Sequence, residues 1–139
     1  MYKIDLWGFI MTTELEMLTW ILVLTLLMWI PYTISHIFNV GIIRALTYKA
    51  NTSSLPDWAQ RAKKAHYNSI ENLVPFASLV IVANIINISN SATISAAIAY
   101  FWFRLAYYGL YVTNIPFGRT LAFAGGWLAQ ICILTQICP

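Results

Sequence analysis

Lys64-Ala65-His66-Tyr67-Asn68-Ser69-Ile70-Glu71 is the stretch that decides the fold, because its polar residues stand where an apolar helix should run and no charge follows Glu71 until Arg104. A carboxylate inside a membrane-length helix is expensive, so it normally has a partner and a function. Around this stretch the 139-residue chain is 60% hydrophobic and 9% charged, with a mean hydropathy of +0.68. A soluble domain carries about 25% charged residues, so the composition describes an integral membrane protein.

Charge-free runs extend from Met17 to Ile43, Asn72 to Phe103, Leu105 to Gly118 and Thr120 to Pro139. A membrane span needs roughly 20 mostly apolar residues, so four helices are expected, at about residues 15–38, 56–88, 91–112 and 117–137 of a single domain, 1–139. Ser54-Leu-Pro56-Asp57 offers a capping box for the second span, Ser89-Asn-Ser91 a cap for the third, and Asn114-Ile-Pro116-Phe-Gly118 a break before the fourth. Gly41 to Leu55 reads as the one extended loop. Pro31 should kink the first span, which a bundle tolerates when a neighbour satisfies the freed carbonyl.

Arg44, Lys49, Arg61, Lys63, Lys64 and Arg119 fall at the ends joined by the first and third connections, whereas Lys3 lies at the other end with Asp5, Glu14 and Glu16. The excess of cations places the first loop in the cytoplasm and both termini outside. Residues 1–16 lack the pattern of a cleaved signal peptide, so the first helix is expected to stay in the mature protein. Cys132 and Cys138 are six apart, off a common helical face, and read as apolar packing.

Glu71 lies in the middle of the second span and Arg104 about eight residues, roughly 12 Å, before the third span ends, so both are deep in the membrane. A buried Glu71–Arg104 pair is the economical expectation. Lys64, Asn68, Glu71 and Pro75 form a stripe at i, i+4, i+7 and i+11, and Arg104, Tyr107, Tyr108 and Tyr111 form a second one descending to the same mouth. Arg119 opens the fourth span there, where a helix N-terminus already favours an anion. Cations, an amide and phenols together suit a small polyanionic molecule. Each member also has a plainer role: the lysines snorkel, the tyrosines form an interfacial belt, Asn68 bonds across helices and Arg119 anchors to lipid phosphate.

The residues from Arg61 through Lys64, His66, Asn68 and Glu71 to Pro75-Phe76, then Arg104-Leu-Ala-Tyr107-Tyr-Gly-Leu-Tyr111 and Ile115-Pro116-Phe-Gly-Arg119-Thr120, resemble the MAPEG family, the membrane-associated proteins of eicosanoid and glutathione metabolism. The resemblance covers nearly the whole chain and is nearest to bacterial members. It implies an all-α four-helix membrane bundle, assembled as a homotrimer with sites between subunits open to the cytoplasm, here of a bacterial inner membrane. It also implies glutathione as cosubstrate, with Lys64, Asn68, Glu71, Tyr107 and Tyr111 as its contacts, Arg119 as the catalytic cation that stabilises the thiolate, and Arg104 as the buried member of the site. Lys64 departs from the arginine that many family enzymes carry, losing a bidentate fork.

The activity so implied is glutathione-dependent transferase or peroxidase chemistry on lipophilic electrophiles or lipid hydroperoxides. A non-catalytic lipid- or ligand-binding trimer and an accessory subunit of a larger membrane complex are the alternatives. Membrane lipids and a lipophilic small molecule are the expected partners, with no nucleic acid. For the trimer axis, the small and polar residues Ala65, Ser69, Asn72 and Ala83 of the second span are the expected contact face.

Overall fold

In the computed structural model, which describes residues 3–4, 10–47 and 55–138, Thr12 opens the first long helix by accepting the Leu15 N–H at its side-chain oxygen. That helix, α1, runs Thr13–Val40 and stops at Gly41, whose φ of 83° suits a residue without a Cβ. A short helix, α2 (Ile42–Ala45), then occupies part of the connection expected to be loop. The remaining helices are α3 (Asp57–Ile85), α4 (Ser91–Val112) and α5 (Pro116–Ile137). Ahead of α1, strands β1 (Lys3–Ile4) and β2 (Ile10–Met11) pair antiparallel.

Local chemistry accounts for the helix ends. Asn90 caps α4 by accepting from the Ala92 and Thr93 amides, and the Thr93 side chain returns to the Asn90 N–H. Asn114 turns the chain in the left-handed region (φ 62°), and Pro116 then takes the first position of α5, where its missing N–H is harmless. At α3 the cap is Pro56, without a side-chain bond; Ser54, the expected capping residue, lies outside the described residues.

By length and composition α1, α3 and α5 can each cross a membrane. The 22 residues of α4 extend about 33 Å, enough to accompany them, although Arg104 and its tyrosines make it more polar. The chain is therefore an all-α membrane bundle of four long helices. Its core joins Leu18 and Ile21 of α1, Phe76 and Val80 of α3, Tyr100 of α4 and Ile133 of α5, with the Phe76 and Tyr100 rings stacked at 3.8 Å.

The most extensive interface is between α4 and α5. Glycine makes it possible at one level: a Cβ on Gly126 would sit 3.3 Å from two nitrogens of the Arg104 guanidinium. Close approach at small residues is how helices associate in lipid, where apolar burial alone supplies little. The small residues of α3 serve the same purpose inside the bundle. Ala65, Ser69 and Ala83 are all buried within the bundle, and Asn72 bonds to Arg104, so the face expected to meet other subunits is already used. Outward from α3 point Tyr67, Val74, Ile81 and Ile85 instead.

Both prolines inside helices have a tyrosine of α4 beside them. The Tyr108 hydroxyl donates to the Met28 carbonyl at 3.3 Å, three residues before Pro31, and the Tyr100 hydroxyl donates to the Asn72 carbonyl at 2.9 Å, three residues before Pro75. A proline ring pushes away the carbonyls of the preceding turn and leaves one without its helical donor. The carbonyls that the prolines leave without a helical donor are those of Leu27 and Glu71, one position earlier, so each phenol bonds the neighbouring carbonyl of the same turn. Tyr108 thus turns toward α1 beside Pro31 rather than joining Tyr107 and Tyr111, and its partner is the Met28 carbonyl, not the Leu27 carbonyl that Pro31 frees.

Candidate functional site

Arg104 is 1% exposed, about two turns from the end of α4, and its partners are not those expected from its charge. Its Nη1 donates to Oδ1 of Asn68 at 3.2 Å and its Nη2 to Oδ1 of Asn72 at 2.8 Å. The rings of Tyr100, Phe123 and Tyr107 surround the guanidinium with centroids at 5.3, 5.5 and 5.7 Å. Glu71 is exposed on α3 and makes no side-chain hydrogen bond among the described residues, so the expected Glu71–Arg104 pair does not form. The physical reason is register: Asn68 and Asn72, four apart, share the face of α3 that looks at α4, and Glu71 is rotated off it. Amide dipoles and ring quadrupoles hold the cation without a second buried charge to desolvate.

This arrangement fixes Asn68. Its Oδ1 accepts from Arg104 and, at 3.3 Å, from Nδ2 of Asn72, which also donates to the Asn68 carbonyl at 2.8 Å. With the oxygen occupied twice, the Asn68 NH₂ is the group left to donate outward. It faces a cavity of about 250 Å³ lined by Asn68, Tyr107, Tyr111, Arg119, Thr120 and Phe123. Arg119, at the first turn of α5, sits over the Tyr111 ring at 5.0 Å, and the Tyr107 and Tyr111 rings are 5.4 Å apart. Four residues expected to act together therefore surround one space, offering a cation, an amide donor and phenols to an anion.

The mouth of this cavity belongs to the basic end of the bundle. Arg61 donates from Nε to the Val112 carbonyl at 3.0 Å, covering the C-terminus of α4 and bringing it beside the start of α3. Lys64 does not enter the cavity. It is exposed and lines a neighbouring one of about 270 Å³ with Lys63 and Tyr67. Lys64 and Glu71 flank Asn68 by one turn on either side, both exposed on the outside of the bundle. His66 is hydrogen-bonded through Nδ1 to the Tyr32 hydroxyl at 3.0 Å, tying α3 to α1. Cys132 packs against the core and Cys138 is exposed at the end of α5. Among the described residues no group of His, Cys, Asp and Glu could hold a metal ion.

Three contributors escaped the sequence reading. Asn72 is one turn beyond Asn68, a spacing that a search for second amides on the same stripe would have found. Phe123 follows Arg119 by four positions and so shares its face of α5, whereas Thr120, the next residue, reaches the cavity without that spacing to mark it.

A comparison with curated proteins gives no match, and neither does a comparison with solved structures. The model of the MAPEG family matches residues 16–138, nearly the whole chain and every residue of the cavity just described. The chain belongs to the MAPEG family.

Proposed function

We propose that the cavity at the basic end binds glutathione and presents its thiolate to lipophilic electrophiles or lipid hydroperoxides dissolved in the bilayer. One observation carries this: Asn68, Tyr107, Tyr111 and Arg119, drawn from three helices, surround a single cavity. A free thiol has a pKa of about 8.5, and a fixed cation favours its ionised, nucleophilic form. Arg119, half-buried and held against Tyr111, is such a cation. Tyr107 and the Asn68 amide donate to the carboxylates and carbonyls of the tripeptide, while Arg104 and Asn72 hold Asn68 in place.

The volume argues for a second subunit. Sites for small molecules span roughly 300 to 1,000 Å³, and about 250 Å³ within one chain is too little for a tripeptide. Lys64 and Glu71, directed outward beside Asn68, become useful if a neighbouring copy closes the site over them. That agrees with the homotrimer the family implies. On the far side of the Asn68–Asn72 pair an open groove of about 420 Å³, lined by Pro75, Ser78, Leu79, Trp127 and Ile131 among others, gives an apolar approach from the lipid. The basic mouth fits a cytoplasmic orientation in an inner membrane.

Calorimetry with glutathione on the protein in mild detergent, followed by turnover with chlorodinitrobenzene and a lipid hydroperoxide, tests this. Binding below millimolar concentration with thiol-dependent turnover is expected. Binding without turnover would favour a ligand-binding trimer, and no binding at millimolar glutathione removes the proposal.

A further inference from the structure

The groove of about 420 Å³ between α3 and α5 has a mostly apolar lining, with Pro75 and Leu79 from one helix and Trp127, Ile131 and Leu134 from the other, but Gln130 lines it too. Gln130 is 5% exposed, and its Nε2, shut off from solvent, has no hydrogen-bond partner among the described residues. Both helices that wall the groove are described throughout, and Gln130 lies about 10 Å inside the C-terminal end of α5 at Ile137. An amide donor buried there without a partner is costly, because no water reaches that depth to replace one.

Two other polar groups of the lining are already bonded. Ser78 donates its hydroxyl to the Val74 carbonyl at 2.8 Å, and Asn72 accepts from Arg104 and donates to Asn68. Gln130 therefore holds the spare capacity, with N–H donors and an acceptor on one carboxamide. Rotation about the last bond of its side chain is soft, so turning an N–H without a partner toward the groove forfeits no bond. None of the described lining residues is charged. A carboxylate or phosphate would meet no cation among them, so the complementary group is neutral. A hydroxyl suits it best, since it can accept from Nε2 or donate to Oε1.

The setting supplies the rest of the ligand. Trp127 and Leu134 are exposed on α5 beside the groove, which therefore opens to the acyl-chain region of the bilayer. We propose that the groove holds an acyl chain of a membrane lipid that carries a hydroxyl along its length, and that Gln130 is the residue that selects it. Along α5 Gln130 is about 16 Å from Arg119. A group held there is out of reach of a thiolate at Arg119, so the inference stands whether or not the basic cavity binds glutathione.

The test uses the full chain in mild detergent and native mass spectrometry with two phosphatidylglycerols, one with ricinoleoyl chains, which carry a hydroxyl at mid-chain, and one with oleoyl chains, which lack it. The ricinoleoyl lipid should be retained about five- to tenfold more tightly, the worth of one hydrogen bond. Gln130→Leu should equalise the two lipids without lowering the melting temperature, since it replaces an unpaired buried amide by an apolar group of similar size. Ser78 is exposed on α3, so Ser78→Trp should block the groove from its rim and remove the preference while leaving Gln130 and the core in place. Equal retention by the wild type overturns the proposal, as does an unchanged preference in either variant. A lower melting temperature in Gln130→Leu would mean that the amide is bonded within the protein, and retention of neither lipid would mean that a second copy of the chain covers the groove; each result also overturns it.

Discussion

Nη2 of Arg104 lies 2.8 Å from Oδ1 of Asn72, and this neutral amide, rather than a carboxylate, is the closest hydrogen-bond partner of the deeply buried cation. Asn72 also donates to Asn68, so one side chain supports both the charge and the residue that faces the cavity.

Asn72→Leu should therefore destabilise the bundle by about 2 to 3 kcal/mol, since it removes a hydrogen bond to a charged group and leaves that donor buried. Glu71→Gln, by contrast, should change the stability of the bundle by less than about 0.5 kcal/mol, the usual range for an exposed site. Thermal unfolding in detergent compares the two. Equal losses would restore the ion pair that the structure does not form.

Gly126 gives a second check on the same cation. Gly126→Ala places a methyl 3.3 Å from Nε and Nη2 of Arg104, whose hydrogen bonds and surrounding rings leave little room to yield. Overpacking of this kind costs about 1 to 3 kcal/mol, visible as a lower melting temperature. At Gly125 the obstructing group is the exposed Phe103 ring, which can swing into lipid, so Gly125→Ala should be the milder change.

Much of this was legible in the sequence. Long charge-free runs can hardly be anything but membrane helices, and the stripe containing Asn68, together with Tyr107, Tyr111 and Arg119, follows from helical spacing. What the sequence could not supply was rotation. Whether Glu71 or Asn72 meets Arg104 turns on about one residue of register, and the charge rule favoured the wrong one. The small residues of α3 were assigned to a contact between subunits because composition reports that a helix packs closely without saying against what. Tyr108 was misjudged for a similar reason: its partner is a backbone carbonyl near Pro31, not the cavity.

The tyrosines beside the prolines separate two kinds of phenol. Tyr108→Phe should lower stability by about 1 kcal/mol, the net value of one hydrogen bond, because the tie from α4 to the Met28 carbonyl is lost. Glutathione affinity should hardly change. Tyr111→Phe should do the opposite, sparing the melting temperature and weakening binding. Parallel melting curves and titrations on the two variants decide this, and identical profiles would mean that the two hydroxyls do the same work.

Arg119 is the residue on which the proposed chemistry depends most. It stands on α5, away from the Arg104–Asn68–Asn72 network, with its guanidinium 5.0 Å from the centre of the Tyr111 ring and the cavity beside it. Arg119→Leu should leave Asn68 and Tyr107 in place, and so largely spare glutathione affinity, while lowering turnover by about tenfold to a thousandfold, as removal of one electrostatic contact to a developing or stored anion does. The sign with pH follows directly. A cation beside the sulfur favours the thiolate and lowers the thiol pKa, so its loss raises that pKa, and the rising limb of the activity profile moves to higher pH. Ultraviolet titration of the bound thiolate in both proteins measures the shift without relying on turnover. An identical titration curve in wild type and Arg119→Leu would remove Arg119 from thiolate stabilisation, even if the variant were less active.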